Sequence, residues 1–487
     1  MSRLPIAIAV LLCFVVVATA NSGGYRYGVS DQAFYVPAIA LDNHPDLFPR
    51  DRTLLEPQLR LWPGGRALAA IARGIGDDLP RTFAALYVVT LAALGIGALA
   101  LARSLRVSAW AAYGFLTLLT LRHRIAKTGA NSLEGYAHPR MLAFAIGLGV
   151  LACVVRRRWG PAAALLALAL LVHPTTGAWF AITAALAAWW PHRPRASFAG
   201  VAVLVLIVAG VIVETLVSGG LARMDADWLS ALADKDYLFP AAWPAYAWLT
   251  NLAYPGILVA IHARRRRLGL ASGSERALVA ALLLLVAGFL ISVPLTQLRV
   301  AIVVQLQVNR VFWLLDALTA LYIAWWLIDD VGRRHGRTIV AILALAAIGR
   351  GVYILTVEAR RPLVQAQLPA DAWTDAMAWL SRQPASWHVL ADPGHAWKYG
   401  SSVRVAALRD TVLEAGKDSA MAMYDRDVAL RVTERTRALA GFEDLSIEQL
   451  RTLDARYDVD VLVEPADRPL ALPVLYRNAG FAIYDLR

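Results

Sequence analysis

Runs of apolar residues as long as the hydrocarbon core of a membrane recur along most of this chain of 487 residues. Each run holds about 16–22 residues, close to the length of helix that a bilayer requires. Because lipid offers no partner for backbone polar groups, such runs cross a membrane as α-helices. The composition agrees, with 58% hydrophobic and 17% charged residues. The sequence therefore predicts a polytopic α-helical membrane protein.

We predict about eleven transmembrane helices and a cytoplasmic N-terminus. They lie near residues 5–20, 82–102, 107–121, 139–155, 160–173, 175–190, 198–217, 241–261, 276–293, 311–328 and 338–356. Residues 1–20 also fit a cleaved signal peptide, since a basic start and an apolar stretch precede Ala-Thr-Ala. The further membrane segments favour a retained first helix. Eleven spans place the C-terminal residues outside the cytoplasm.

The net charge of +12 follows membrane topology and does not indicate nucleic-acid binding. Arginines cluster at every second loop between the predicted helices, as the positive-inside rule requires. The clusters are Arg3, Arg103, Arg106, Arg156–Arg158, Arg193, Arg195, Arg264–Arg267, Arg333, Arg334 and Arg337. Cys13 and Cys153 both lie in apolar segments, so the sequence offers no disulfide framework and no cysteine metal site.

The chain divides by composition into a membrane core, residues 1–356, and a small extracytoplasmic α/β domain, residues 357–487. The core includes a long outer loop, residues 21–81, with two apolar segments that suit helices lying at the membrane interface. In the C-terminal domain we predict helices in DAWTDAMAWLSRQ and SIEQLRTLDARY. Strands are predicted in WHVLADP, VRVAAL, VDVLVEP and FAIYDLR.

Asp31 is the acid of the first outer loop that we select as the candidate catalytic residue. A carboxylate at the membrane interface serves as a general base on an acceptor hydroxyl, or holds a divalent metal ion. The structural alternative is a helix N-cap, because Ser30 and Asp31 both favour that position. We expect the other polar groups of the loop to be solvated, with Asp51 paired to Arg50 or Arg52. These groups are Asp42, His44, Asp46, Asp51 and Glu56.

The second outer loop is basic, against the positive-inside trend. Its basic groups are Arg122, His123, Arg124, Lys127, His138 and Arg140. They suit a lipid phosphate or pyrophosphate, because arginine offers a fork of donors to phosphate oxygens. The alternative is that these groups form ion pairs with Glu134 or with the acidic first loop. Phosphate binding and ion pairing are compatible, because an anionic ligand and a carboxylate can share an arginine cluster.

Three further polar groups interrupt apolar sequence close to the predicted outer face. His173 ends one predicted span. Its side chain is either a structural hydrogen-bonding group or a contact to a ligand. Gln307 and Arg310, at i and i+3, are predicted to share one helical face. Polar groups at that depth usually line a cavity. We expect them to meet the basic loop and Asp31 around one pocket.

These features together resemble the GT-C superfamily of integral-membrane glycosyltransferases of the type that depends on a polyprenyl-phosphate sugar. The likeness rests on the acid of GVSDQAFY in a long first outer loop, the many spans, the polar QLQVNR and the outer α/β tail with ARYDVDVLVEP. The paired acidic motif common in the family is absent, since Gln32 follows Asp31. The resemblance therefore names no certain cofactor and leaves a divalent ion, Mg²⁺ or Mn²⁺, open.

The resemblance implies inverting transfer of a sugar from a polyprenyl-phosphate carrier to a glycan, lipid or protein acceptor. The location implied is the extracytoplasmic face of a bacterial-type plasma (inner) membrane. Asp31 would be the base, and Arg122, Arg124 and Arg310 would stabilise the departing lipid phosphate. The alternative is a non-catalytic transporter, flippase or scaffold for lipid-linked glycans.

Overall fold

The computed structural model describes residues 3–190 and 222–487, which form two compact units. Unit 1 takes in Met1–Tyr25, Leu86–Met224 and Lys235–Val364, and unit 2 takes in Arg26–Ala85, Asp225–Asp234 and Gln365–Arg487. The predicted span at 198–217 lies outside the described residues. The predicted division at residue 356 follows membrane topology and stays a prediction.

Unit 1 is built from apolar helices and one short hairpin. Its longer helices are Arg3–Asn21, Leu79–Ser104 (which begins in unit 2), Ala109–Thr120, Pro139–Val155, Trp159–Val172, Pro174–Trp189, Ala245–Arg267, Gly273–Gln297, Val311–Trp325 and Gly336–Tyr353. The hairpin pairs Arg124–Ile125 with Ala130–Asn131. Short helical pieces are Asp236–Leu238, Pro240–Ala242, Ala301–Gln305, Val308–Arg310, Trp326–Val331 and Ile354–Glu358. Each predicted span within the described residues falls on one of the longer helices.

Four helical segments of the described chain are long and apolar enough to cross a membrane. They are Leu79–Ser104, Gly273–Gln297, Ala301–Val331 and Gly336–Glu358. Shorter apolar helices are Pro5–Asn21, Ala109–Thr120, Pro139–Val155 and Trp159–Val172. The helical positions agree with the sequence prediction, but length and composition support four spans in these residues and do not confirm eleven.

Close aromatic packing holds the middle of unit 1 together. Phe144 stacks on Trp313 with ring centroids 4.1 Å apart, and meets Phe180 edge to face at 5.4 Å. A Cβ on Gly147 would lie 2.3 Å from the Phe180 ring, so that approach requires glycine. These contacts fix Pro139–Val155 and Pro174–Trp189 side by side, which positions the N-termini of both helices.

Unit 2 contains a five-stranded sheet with helices around it. The sheet order is Asp410–Thr411, His388–Ala391, Val461–Pro465, Phe481–Asp485 and Val474–Arg477, with the first three strands parallel and the last two antiparallel to their neighbours. The short strands Tyr25–Arg26 and Val364–Gln365 lie at the limits of the units. The helices are Gln32–Asn43, Arg52–Leu61, Pro63–Gly74, Ala226–Ser230, Ala372–Leu380, His395–Lys398, Val403–Ala406, Asp418–Ala422, Arg426–Ala438, Phe442–Asp444 and Ile447–Tyr457.

The sequence prediction for the C-terminal residues is confirmed at five elements and wrong at one. The helices Ala372–Leu380 and Ile447–Tyr457 and three of the four strands are where the patterns placed them. VRVAAL is not a strand but contains the short helix Val403–Ala406, which Ser402 caps by accepting a hydrogen bond from the backbone N–H of Arg404. The alternating valines face the core, and Arg404 between them is buried against carboxylates.

Asp51, from the first outer loop, is fully buried in unit 2. Its carboxylate accepts hydrogen bonds from Arg404 Nε at 2.7 Å and from the backbone N–H of Thr411 at 3.0 Å, and pairs with Arg431. Burial acts to raise the pKa of Asp51, but the charges of Arg404 and Arg431 outweigh it and hold the pKa well below its usual range. The expected pairing of Asp51 with its neighbours Arg50 or Arg52 is wrong.

We expect Asp51→Asn to destabilise unit 2 by about 3–5 kcal/mol, because removing one partner leaves buried charge uncompensated. Pulse proteolysis of the full chain in detergent measures this at pH 7. Glu56→Gln is the control: its exposed carboxylate lies 3.9 Å from Arg52, a pair worth at most about 1 kcal/mol. Equal stability of both variants would contradict this role for Asp51.

Candidate functional site

Two helices of unit 1 begin with the same dipeptide, His-Pro. His138 precedes the helix Pro139–Val155, and His173 precedes Pro174–Trp189. In each case Nδ1 of the imidazole accepts a hydrogen bond from a first-turn backbone N–H, that of Arg140 at 3.1 Å or that of Thr176 at 3.3 Å. Proline suits the first helical position because its missing N–H would have no partner there. Both histidines are therefore N-caps.

The two imidazoles lie next to each other, with ring centroids 6.2 Å apart. A neutral imidazole that accepts at Nδ1 carries its proton on Nε2. His173 lies in the turn between two helices. In the neutral form that accepts at Nδ1, His173 carries Nε2–H as a donor.

Positive charge converges on these helix ends. A helix N-terminus carries about half a positive charge and exposed N–H groups, which makes it a place for anions. Arg140 adds a guanidinium, which contacts Glu134 Oε1 through Nη2 at 2.5 Å. Glu134 also accepts a hydrogen bond from Asn131 at 3.0 Å. The ion pair with Glu134, one of the two predicted uses of the basic loop, is present.

Hydrogen bonds and ion pairs fix most of the second outer loop, residues 122–140. His123 Nε2 lies 2.9 Å from Asp316 Oδ1, and Lys127 pairs with Asp236. Arg122 Nε donates to the carbonyl of Leu133 at 3.1 Å. Arg124 is exposed on the hairpin strand. These groups shape the loop, whereas the anion-attracting geometry lies at His138, Arg140 and His173.

The polar stretch QLQVNR adopts a turn and not a continuous helical face. Gln307 has a left-handed backbone, with φ of 49°, and precedes the short helix Val308–Arg310. The expectation that Gln307 and Arg310 share one helical face is therefore wrong. Asn309 joins this turn to the basic loop, since its Nδ2 donates to the carbonyls of Lys127 at 2.9 Å and Tyr237 at 2.8 Å. Arg310 ends this turn.

Asp31, in unit 2, stands at the N-terminus of Gln32–Asn43 but makes no capping hydrogen bond with its side chain. Instead, Lys417 Nζ donates to Asp31 Oδ1 at 3.1 Å and to Ser30 Oγ at 3.3 Å. Ser30 has a positive φ of 54°, an uncommon backbone conformation for a residue other than glycine. Asp31 is thus held as a carboxylate beside a lysine of the C-terminal residues.

The expected single pocket stays a prediction, because Asp31 belongs to unit 2 and the basic and amide groups belong to unit 1. Two other acids of the first outer loop have ordinary partners: Asp77 contacts His44 at 3.1 Å, and Asp42 contacts Arg73 at 3.5 Å. Within residues 3–190 and 222–487, no group of three or more His, Cys, Asp or Glu side chains is placed to hold a metal ion. No residue is therefore assigned as a metal ligand.

No protein-family model matches the chain, and no curated protein matches it. Among solved structures, the apo oligosaccharyltransferase of Archaeoglobus fulgidus is similar, with 13% identity, 94% of this chain and 69% of that chain covered, and a TM-score of 0.47. The same enzyme tethered to an acceptor peptide with the NVT sequon gives 14% identity, the same coverage of 94% and 69%, and a TM-score of 0.49.

The archaeal oligosaccharyltransferase AglB from the same organism, in complex with an inhibitory peptide and a dolichol-phosphate, gives 12% identity, coverage of 94% and 69%, and a TM-score of 0.46. Each of these TM-scores is below 0.5, so the likeness carries no argument about the fold or the reaction of this chain. The peptide and the dolichol-phosphate are ligands of the archaeal enzyme.

The contact between His123 and Asp316 predicts a pH-dependent stability. The hydrogen bond with Asp316 raises the pKa of His123, although burial opposes it. The stabilisation is therefore fully present below the unfolded pKa of about 6.5 and is lost as pH rises through the folded pKa. We expect the difference in Tm between wild type and Asp316→Asn, in detergent, to shrink between pH 6 and pH 9.

Asp329→Asn is the matched control, since Asp329 accepts a hydrogen bond from the backbone N–H of Ser108 at 2.9 Å and contacts no histidine among the described residues. Its effect on Tm should be constant over this range. A parallel pH dependence in both variants would mean that the titration of another group dominates.

Proposed function

We propose that this chain is a GT-C-type membrane glycosyltransferase that moves a sugar from a polyprenyl-phosphate carrier to an acceptor outside the cytoplasm. One observation carries the proposal: in unit 1, two helices of 17 and 16 residues begin side by side with histidine caps, and Arg140 lies in the first turn of one of them. Such an arrangement attracts an anion, and the apolar helices behind it suit a lipid tail.

The phosphate of the carrier is the group that this site suits. The Nε2–H groups of His138 and His173 would donate to phosphate oxygens, and Arg140 and Arg310 would balance the charge that grows on the leaving group. In the transfer, the bond between the anomeric carbon and the phosphate oxygen breaks. The lipid phosphate leaves as an anion, so no acid is needed on that side.

Asp31 is the candidate base for the other half of the reaction. The acceptor hydroxyl would lose its proton to the carboxylate as its oxygen bonds to the anomeric carbon from the opposite face, which inverts the configuration. The ion pair with Lys417 supports this role, since it presents Asp31 as the anion at a fixed position.

A transporter, flippase or scaffold for lipid-linked glycans is the alternative. It would use the same phosphate site and would need no base. The ion pair of Asp31 with Lys417 is compatible with it, because a salt bridge also serves to hold a loop. The two functions differ in whether transfer depends on Asp31.

We expect Asp31→Asn to lower sugar transfer by about 10²–10⁴-fold, the usual contribution of a general base, with unchanged binding of the carrier. The assay uses full-length protein in membranes supplied with radiolabelled lipid-linked sugar, and follows label leaving the lipid fraction. Asp46→Asn, an exposed acid of the same loop, is the control. Normal transfer by Asp31→Asn at normal protein level would exclude Asp31 as the base.

We expect His173→Asn to weaken binding of a short-chain polyprenyl phosphate by about 10–100-fold, because a hydrogen bond to a charged group contributes about 1.5–3 kcal/mol. Asparagine is itself a good N-cap, so the helix start is preserved while the Nε2–H donor is lost. Binding of the lipid phosphate to purified protein is measured by calorimetry. His335→Asn, an exposed histidine, should bind as wild type, and equal binding by both variants would remove His173 from the site.

A further inference from the structure

Trp397 is a large aromatic side chain at the surface of unit 2, 69% exposed. It lies on the short helix His395–Lys398, which follows the inner strand His388–Ala391 of the sheet. Leaving an indole in water forfeits the free energy that its burial would contribute, about 25 cal/mol per Å². A side chain of this kind at a fixed surface position is typical of a binding site.

A buried lysine links Trp397 to Asp31. Lys417, whose side chain is 7% exposed, lies with Nζ 4.8 Å from the centre of the Trp397 ring and 3.1 Å from Asp31 Oδ1. The ammonium is thus a cation–π partner of the indole and an ion-pair partner of the carboxylate at once. These two distances put the indole and the carboxylate no more than about 8 Å apart. Lys417 Nζ is the contact that joins them.

Polar groups surround the indole on the same side. A Cβ on Gly416, which has a φ of +76°, would lie 3.5 Å from Trp397 Nε1 and 3.6 Å from Asp234 Oδ2. Asp234 also accepts a hydrogen bond from Ser419 Oγ at 3.3 Å. Asp234 and the indole N–H edge therefore both lie near Gly416, and the positive φ favours glycine at that position.

This combination suits a saccharide. The C–H face of a pyranose packs on the electron-rich face of an indole, while its hydroxyls donate to carboxylate oxygens at the ring edge. A lipid surface is the competing explanation for an exposed tryptophan, since such residues collect at membrane interfaces. Lys398 follows Trp397 in the chain and Lys417 Nζ lies 4.8 Å from its ring centre, and these charged groups favour water and hydroxyls over lipid.

We propose that Trp397, Lys417 and Asp31 form the binding site for a sugar ring of the acceptor, so that the acceptor of this transferase is a glycan. The inference rests on the proposed function, because a general base must lie next to the acceptor hydroxyl. Trp397 would hold the ring, Asp31 would accept the proton of the reacting hydroxyl, and Lys417 is the positioning residue that fixes both.

Binding of free sugars tests the site without requiring transfer. Full-length protein in detergent is examined by saturation-transfer NMR against a panel of neutral di- and trisaccharides of glucose, galactose, mannose and N-acetylglucosamine. We expect at least one saccharide to bind, Trp397→Ala to weaken its binding at least tenfold, and Trp397→Phe to weaken it only a few-fold because an aromatic face remains. Trp189→Ala, which removes a tryptophan that is 67% exposed in unit 1, is the control and should bind as wild type.

The inference is overturned if no saccharide of the panel binds, if Trp397→Ala binds as wild type, or if Trp397→Ala and Trp189→Ala lose binding equally. A loss of partitioning into anionic phospholipid vesicles by Trp397→Ala, with sugar binding intact, would assign the indole to the membrane surface and also overturn it. Transfer that depends on Asp31 without Trp397-dependent sugar binding would leave the proposed function standing. Sugar binding that depends on Trp397, without any transfer, would support the sugar site and contradict the proposed transferase function.

Discussion

A guanidinium that is shut away from water must have its charge balanced within the protein, and Arg404 is 1% exposed. Asp51, Asp418 and Glu414 surround it, with Nε–Oδ2 and Nη1–Oδ1 distances of 2.7 Å and 2.5 Å to the two aspartates. Burial acts to lower the pKa of Arg404, but these carboxylates outweigh it and raise the pKa well above its usual range. Asp51 comes from the first outer loop and the others from the C-terminal residues, so this one charge ties distant segments of chain into unit 2.

The positions of the helices in unit 1 are readable from the sequence because the signal is local. A long apolar run between charged loops forms a helix whatever its neighbours are, and each predicted span within the described residues is helical. The number of spans is less readable, since Ala245–Arg267 ends in four arginines and several helices are short. In VRVAAL the alternation of valines suggested a strand, but the burial of Arg404 among carboxylates that lie elsewhere in the sequence selected a helix.

In the candidate sites, too, contacts between residues close in sequence could be predicted, and contacts between distant residues could not. The sequence predicts His173 to be a structural hydrogen-bonding group or a ligand contact, and the structure shows it as a helix cap; the cap at His138 was not predicted. The pairing of Arg140 with Glu134, six residues apart, was also foreseeable. By contrast, Lys417 meets Asp31 across 386 positions of sequence and His123 meets Asp316 across 193. No periodicity or motif in a single sequence carries such contacts, so the lysine beside the candidate base and the exposed tryptophan beyond it were missed.

The reciprocal bonds between Asp51 and the strand Asp410–Thr411 have a consequence for the sheet. The carboxylate of Asp51 accepts a hydrogen bond from the backbone N–H of Thr411. The carboxylate of Asp410 accepts hydrogen bonds from the backbone N–H groups of Arg50 and Asp51, at 3.0 and 2.9 Å. Asp410–Thr411 is the outermost strand on its side of the sheet, and an open strand edge invites pairing with another chain. The first outer loop thereby seals this edge, and a fragment cut after the last helix of unit 1 would lose that seal and be prone to aggregate through it.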